Sequence, residues 1–234
     1  PIIDSVATTP VQDKQINADY SIKNNQVYYQ DKALANANPA KFMIVSEKYS
    51  SDGVLVFHED KLIEGVDVKT FNVLPGTEYA SDINFIYHPQ YPDGTIGKIA
   101  LIKNSADKPE IIGRTFARYQ NKVYCGSYEL AGADAASFQS MSQFYAKDSQ
   151  KVYSADCVIL DGLNASSAAL IKEMEKQAYI KDAQSVFFLS KKIEGADPSS
   201  FTVLNNGYAK DAHAFYFNET VTTKENFDTN SLKQ

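Results

Sequence analysis

The chain of 234 residues is 44% hydrophobic and 22% charged, with ordinary glycine and proline contents, which fits a folded protein with a real core and excludes a disordered, collagenous or purely coiled-coil polymer. Its 23 Lys and Arg against 29 Asp and Glu give a net charge of -6 with no basic cluster, which argues against a nucleic-acid partner. No run approaches the roughly 18 consecutive apolar residues of a membrane-spanning helix, and the greasiest stretch, Ile99 to Ile102, is only strand-sized.

In chain order, Pro1 to Asn17 mixes Thr, Pro, Gln, Asp and Ser without periodicity and reads as a flexible tether, of the kind that follows a cleaved export signal or a lipid-anchored cysteine. The expectation is an exported chain in the periplasm or cell envelope, with room for a lipid anchor upstream. From Tyr20 onward the sequence repeats itself. The unit is clearest as Tyr179-Ile-Lys-Asp182, Val186-Phe-Phe188 and Ile193-Glu-Gly195-Ala-Asp197-Pro-Ser-Ser-Phe201-Thr-Val-Leu204. The same order runs upstream as Tyr49-Ser-Ser-Asp52, Val56-Phe57 and Ile63-Glu-Gly65-Val-Asp67-Val-Lys-Thr-Phe71-Asn-Val-Leu74. Seven starts fall at Tyr20, Tyr49, Tyr79, Phe116, Tyr145, Tyr179 and Tyr208, the last copy incomplete. The expected organisation is one continuous repeat domain after the tether: repeats 1–3 over 18–115, with an insertion at 89–115, and repeats 4–7 over 116–234.

Within a unit the aromatic and β-branched runs read as strands. The Asp after the first strand, as in Asp148-Ser-Gln-Lys151, reads as a turn-maker whose side chain accepts from backbone amides two residues on. Polar triplets such as Gln30-Asp31-Lys32 and Ser190-Lys191-Lys192 suit a second hairpin turn. Asp197 followed by Pro198 signals one helical turn linking successive units. Each unit is therefore predicted to be a small β-meander that cannot cover its own apolar residues, so neighbours stack. The fold class is mainly β, a repeat array of short meander or hairpin units with a period near 29 residues, an open and slightly curved stack being favoured over a ring. Two spacings depart from the period. Between Tyr79 and Phe116, Pro89 to Glu110 reads as an extra hairpin or long loop; between Tyr145 and Tyr179, Ser166 to Lys176 reads as a short inserted helix with Asn164 as its cap.

These residues resemble the DKNYY family, best in Lys23-Asn24-Asn25-Gln26-Val27-Tyr28-Tyr29 and in Tyr-Ala-Lys-Asp at 145–148 and 208–211. The resemblance runs from Tyr20 to Phe217, with departures where Lys23 and Tyr119 replace the Asp and Ala168 replaces the Phe. It implies an exported or envelope protein of a family without an established activity.

The chemistry is sparse. His58, His88 and His213 form no HExxH, and His58 and His88 occupy the strand position of Tyr29 and Phe188, which favours a structural role. The repeated Asp52, Asp82, Asp148, Asp182 and Asp211 are lone carboxylates that lack the alternating ligands of a calcium loop. No nucleophile elbow or phosphate loop follows any strand, so the expectation is a non-enzymatic protein without cofactor or metal. Cys125 and Cys157 fit either two buried thiols or one disulfide. Most Tyr and Phe are repeat positions and hence core; Tyr91, Tyr119 and Tyr128 are the exceptions and candidates for surface contact. The expected function is protein binding, as an immunity-type inhibitor of a secreted antibacterial toxin, using Tyr91, Asp93, Lys103, Asp107 and Glu110 of the 89–110 segment or the 166–176 helix. The alternative is a structural or adhesive envelope protein binding glycan or another envelope component.

Overall fold

A computed structural model describes residues 11–90, 93–103, 105–205 and 207–231. The chain divides into two compact units, Pro1–Ser105 and Ala106–Gln234, and the division falls inside the segment predicted to be an insertion. Both units are made of short strands and tight turns, paired antiparallel between neighbours in sequence, as expected when β-prone runs of a few residues alternate with turn-formers.

Three sheets of four strands make up the first unit. The first sheet contains Lys14–Gln15, Tyr20–Lys23, Gln26–Tyr29 and Lys32–Ala33. The second contains Met43–Ile44, Tyr49–Ser51, Val56–His58 and Lys61–Leu62, and the third Asn72–Val73, Ala80–Ser81, Phe85–Pro89 and Ile96–Ala100. The second unit has four sheets. The fourth sheet contains Glu110–Ile112, Phe116–Tyr119, Lys122–Cys125 and Tyr128–Glu129; the fifth contains Gln139–Ser140, Tyr145–Lys147 and Val152–Ser154. Ala169–Met174, Gln177–Lys181, Val186–Phe188 and Lys191–Lys192 form the sixth; Thr202–Val203, Tyr208–Lys210, Phe215–Phe217 and Thr220–Thr222 form the seventh, followed by helix α1 (Lys224–Asn230).

The structure thus has the predicted mainly β, repetitive architecture, with one stagger. Thr202–Val203, read as the last strand of one unit, pairs with Lys210 and Ala209 of the next, and Met43–Ile44 and Asn72–Val73 likewise open the sheet of the copy that follows them. One further expectation is corrected. Residues 166–176 are not a helix: Asn164 caps a single turn, accepting from the Ser166 amide at 2.9 Å, and Ala169–Met174 then runs as a strand paired with Gln177–Lys181. The local helix preference of Ala, Leu, Lys, Glu and Met loses to a cross-strand partner with buried Ala178, Tyr179 and Ile180. Of the segment 89–110, read as an extra hairpin or long loop, the described residues Ile96–Ala100 are the fourth strand of the third sheet, paired with Phe85–Pro89, and Glu110–Ile112 opens the fourth sheet.

Every core cluster joins sheets that are adjacent in sequence. Tyr20, Val27 and Leu34 of the first repeat pack with Phe57 of the second; Tyr179 and Phe188 of the sixth sheet pack with Phe201, Ala209 and Tyr216. The recurrent linker Phe is the bridge: Phe201 lies 5.9 Å from the ring of Tyr179 and 5.3 Å from that of Tyr216. Cutting it to Ala would cost about 3–5 kcal/mol. The opening residue is a buried Tyr in five copies (Tyr20, Tyr49, Tyr79, Tyr145 and Tyr179), with Phe116 in the fourth and a half-buried Tyr208 in the seventh, and Tyr145 and Tyr179 tie forward. Tyr145 Oη donates to the carbonyls of Ala178 (2.9 Å) and Leu189 (3.2 Å), and Tyr179 Oη to those of Gly207 (2.7 Å) and Asn218 (3.3 Å). The array ends on α1, which the repeat reading missed. Thr223 caps it by accepting from the Asn226 amide, and Phe227, four residues on, packs against Phe215 at 4.6 Å and Tyr208 at 6.1 Å. The signal was present: a capping residue followed by Phe four positions later recurs at Asn38/Phe42, Asp67/Phe71, Asp134/Phe138 and Asp197/Phe201.

Candidate functional site

The repeated Asp is the most heavily used polar group of the fold. In Asp148, Oδ1 accepts from the amides of Gln150 and Lys151, both at 2.7 Å, which closes the tip of the hairpin. Oδ2 reaches back to the linker and accepts from the Asp134 amide at 3.1 Å and from the Tyr153 hydroxyl at 2.8 Å. Asp82 and Asp211 repeat this with Tyr87 and Tyr216; Asp52 and Asp182 repeat it with Phe in place of the Tyr, each taking a linker amide. Burial alone would raise these carboxyls, but the backbone donors outweigh it and hold all five below the ordinary Asp range. The Asp is therefore a turn-maker, and also a clamp between a hairpin tip and the linker before it.

The two copies that lack this Asp turn differently. Asn24-Asn25 and Gln120-Asn121 are two-residue hairpin loops with positive φ at both positions, 51° and 60°, 52° and 57°. There the carboxylate comes from upstream: Asp13 accepts from the Asn24 amide at 2.7 Å and Asp107 from the Gln120 amide at 2.8 Å.

Of the residues singled out for partner contact, Tyr91 lies outside the described residues. Asp93 and Lys103 are exposed in the first unit, Asp107 and Glu110 in the second. Asp93 closes its own loop, accepting from the Thr95 amide (3.0 Å) and hydroxyl (2.9 Å), which lower its pKa. Asp107 holds the fourth-sheet turn, and Glu110 pairs with Arg118, whose Nε donates at 3.1 Å. Asp107, Glu110, Arg118, Gln120 and Asn121 do share a shallow polar depression of about 260 Å³. All three acids are nonetheless committed within the chain.

A different cluster is less committed. Cys125 and Cys157 form a disulfide, Sγ to Sγ 2.01 Å, which ties the third strand of the fourth sheet to the loop after Val152–Ser154. Cys125 is opposite Phe116, the place that holds an aromatic partner in other copies: Tyr29 opposite Tyr20, Phe188 opposite Tyr179. Cys157 takes φ 66°, in a loop that leaves the fourth strand of the fifth sheet as a single bridge, Tyr153 to Ile159. Around this bond lie exposed apolar residues: Tyr128, the strand partner of Cys125, is 61% exposed, and Val158 and Ile159 are 43% and 37% exposed. Tyr119, by contrast, is buried at 2%.

His58 and His88 stand opposite the repeat tyrosines, with ring centroids 4.9 Å from Tyr49 and 4.6 Å from Tyr79. Both are buried, and His58 has no hydrogen-bond partner on either nitrogen; burial lowers its pKa. His213 is exposed on a hairpin tip. Among the described residues no three His, Cys, Asp or Glu side chains converge as a metal site, and no helix is long and apolar enough to cross a membrane.

Seven small antiparallel sheets, clamped through Asp and sharing aromatic cores with their neighbours within each unit, define a β-meander repeat protein. The particular repeat is set by its Asp tip, its Tyr and the aromatic pair that follows. The chain belongs to the DKNYY family, whose profile matches residues 2–91 and 116–234. No curated protein and no solved structure matches it.

Proposed function

We propose that the chain is a non-enzymatic protein-binding module of the cell envelope, an immunity-type inhibitor that neutralises a secreted antibacterial toxin. One observation carries this reading: Tyr128, Val158 and Ile159 are exposed beside the disulfide, in a stretch where Cys125 takes the place of an aromatic partner and a single bridge takes the place of a fourth strand. Tyrosine and aliphatic side chains exposed around a covalently fixed loop give contact area at low entropic cost. The bond itself suits an oxidising compartment. A net charge of -6 favours encounter with a basic partner. The 89–110 segment contributes less than its composition suggests, since Asp93, Asp107 and Glu110 already have partners within the chain.

The test is capture of secreted proteins from the source cells on the immobilised chain, followed by an activity assay of whatever binds stoichiometrically. A secreted enzyme whose activity falls on binding, and is released by a Tyr128→Ala/Val158→Asp variant of unchanged thermal midpoint, supports the reading. Capture of envelope components only, with no inhibited enzyme, favours a structural or adhesive role.

A further inference from the structure

Three junctions between neighbouring sheets are stitched on the tip side by one hydrogen bond. The amide following the tip Asp donates to a hydroxyl three residues after the linker cap: Ile83 to Thr70 (3.1 Å), Ser149 to Ser137 (2.9 Å) and Ala212 to Ser200 (3.0 Å). In the last two the hydroxyl is itself held by the cap, Ser137 Oγ and Ser200 Oγ each donating to Oδ2 of Asp134 and Asp197 at 2.5 Å. The junction between the fifth and sixth sheets has the same parts, Ser167 and Ala183, but they make no such bond. At the Ile83 junction the Thr70 hydroxyl donates instead to the Asp67 carbonyl at 3.4 Å; the Ser167 hydroxyl makes neither contact. Here the cap is Asn164, which has a single acceptor oxygen, already taken by the amide and hydroxyl of Ser166 at 2.9 and 2.7 Å. Where Asp offers a second oxygen, Asn offers an NH₂ donor, and Ser167 is left unheld.

At this junction a groove of about 580 Å³ opens, lined by the tips 149–150 and 182–184 and the linker 162–167. That is the size of a small-ligand site. Its uncommitted groups are neutral donors and acceptors: the Ala183 amide, the Ser167 hydroxyl and the carboxamides of Gln150 and Gln184, which occupy the same position in consecutive repeats. Asp182 is its only ionisable residue; it is buried, Oδ1 accepts from the amides of Gln184 (2.7 Å) and Ser185 (2.8 Å), and Oδ2 from that of Asn164 (2.7 Å). A free anion finds no cation here, a free cation only one buried carboxylate already bonded to three amides, and an apolar ligand Leu163 and the Ala183 methyl. A molecule dense in hydroxyl and amide groups matches the uncommitted polar groups.

We propose that this groove is a binding subsite for neutral saccharide, at the junction where Asn164 stands in the place of the capping Asp and the stitch is not made. The site is independent of the toxin-inhibitor reading and lies on other residues.

The experiment is amide-detected NMR titration of the full chain with β-1,4-linked N-acetylglucosamine tetramer and with maltotetraose, using tetragalacturonate as the anionic control. Saturable shifts confined to residues 149–150, 163–167 and 183–184 are expected from at least one neutral probe, with a Kd on the order of 1 mM, typical of a few hydrogen bonds. Asn164→Asp should restore the stitch between Ser167 and Ala183 and weaken binding at least tenfold while the fold is kept; Gln150→Ala/Gln184→Ala should do the same by removing contacts. The proposal is overturned if neither neutral probe shifts these amides, if shifts centre elsewhere, if tetragalacturonate shifts them equally, or if both variants bind as the parent does.

Discussion

Replacing Asp148 by Ala removes one carboxylate and strands four donors. The amides of Gln150 and Lys151 lie at an exposed tip, where water can take over. The Asp134 amide and the Tyr153 hydroxyl converge on the buried side of the carboxylate, with Asp148 only 4% exposed. Leaving a buried donor unpaired costs about 1–3 kcal/mol, so the loss should be about 4 kcal/mol with the tip amides counted as near neutral. Asp148→Asn keeps the tip through its remaining oxygen but turns an NH₂ toward the Asp134 amide, and should cost about 2 kcal/mol. Tyr153→Phe deletes a single bond and should cost about 1 kcal/mol. Urea unfolding at constant slope reads the series directly. A stability order other than Ala below Asn below Phe, in particular an Asn variant as stable as the parent, would refute the clamp. The pH dependence supplies a second reading. Because the folded pKa is depressed, the contribution of Asp148 is fully present above the unfolded value of about 3.9 and is lost as pH falls through the folded value. The Ala variant should therefore show a flatter acid limb than the parent.

Three more outcomes can be checked. Opening the disulfide, by reductant or as Cys125→Ala/Cys157→Ala, should cost about 4 kcal/mol, since the bond closes a separation of 32 residues; unchanged urea midpoints would contradict it. His58 is buried neutral with its pKa lowered, so the stability it supports holds above the unfolded value of about 6.5 and declines below it. His58→Phe, with Phe188 as its counterpart opposite Tyr179, should shrink the loss of stability between about pH 7 and about pH 5, and an undiminished loss would sink that account. Gly207 sits at φ 79°, and an added Cβ would meet Asn218 Oδ1 at 2.2 Å; Gly207→Ala should lower stability by about 2 kcal/mol or more, read by thermal unfolding.

The repeat was legible because the same core site asks for the same kind of residue each time: the opening position is aromatic, Tyr in six copies and Phe116 in the fourth, and the tip Asp, where present, uses both oxygens. Pairing was not legible, since the choice of Thr202–Val203 for Tyr208–Lys210 over its own copy is a tertiary matter that local pattern does not encode. The inserted helix failed for the same reason, with propensity summed over Ser166 to Lys176 outweighed by a strand needing an edge partner. For Asp93 and Asp107, composition suggested free surface charge, while the acceptor role of Asp107 depends on an amide 13 residues away. The exposed residues beside the disulfide could not be found before the Cys125–Cys157 pairing was known, although Tyr128 stood out as a tyrosine off the repeat.

Departures from the repeat proved as informative as matches. Lys23 and Tyr119 looked like decay of the Asp position. Both lie in the first described sheet of their compact unit. The turn then changes to a two-residue loop with positive φ, and an upstream acid, Asp13 or Asp107, restores the lost bond from the other side. In this chain, the two copies that lack the tip Asp are the two in which an acid 11 or 13 residues upstream accepts from a turn amide, so the same hydrogen-bond logic is kept with the carboxylate supplied from another position.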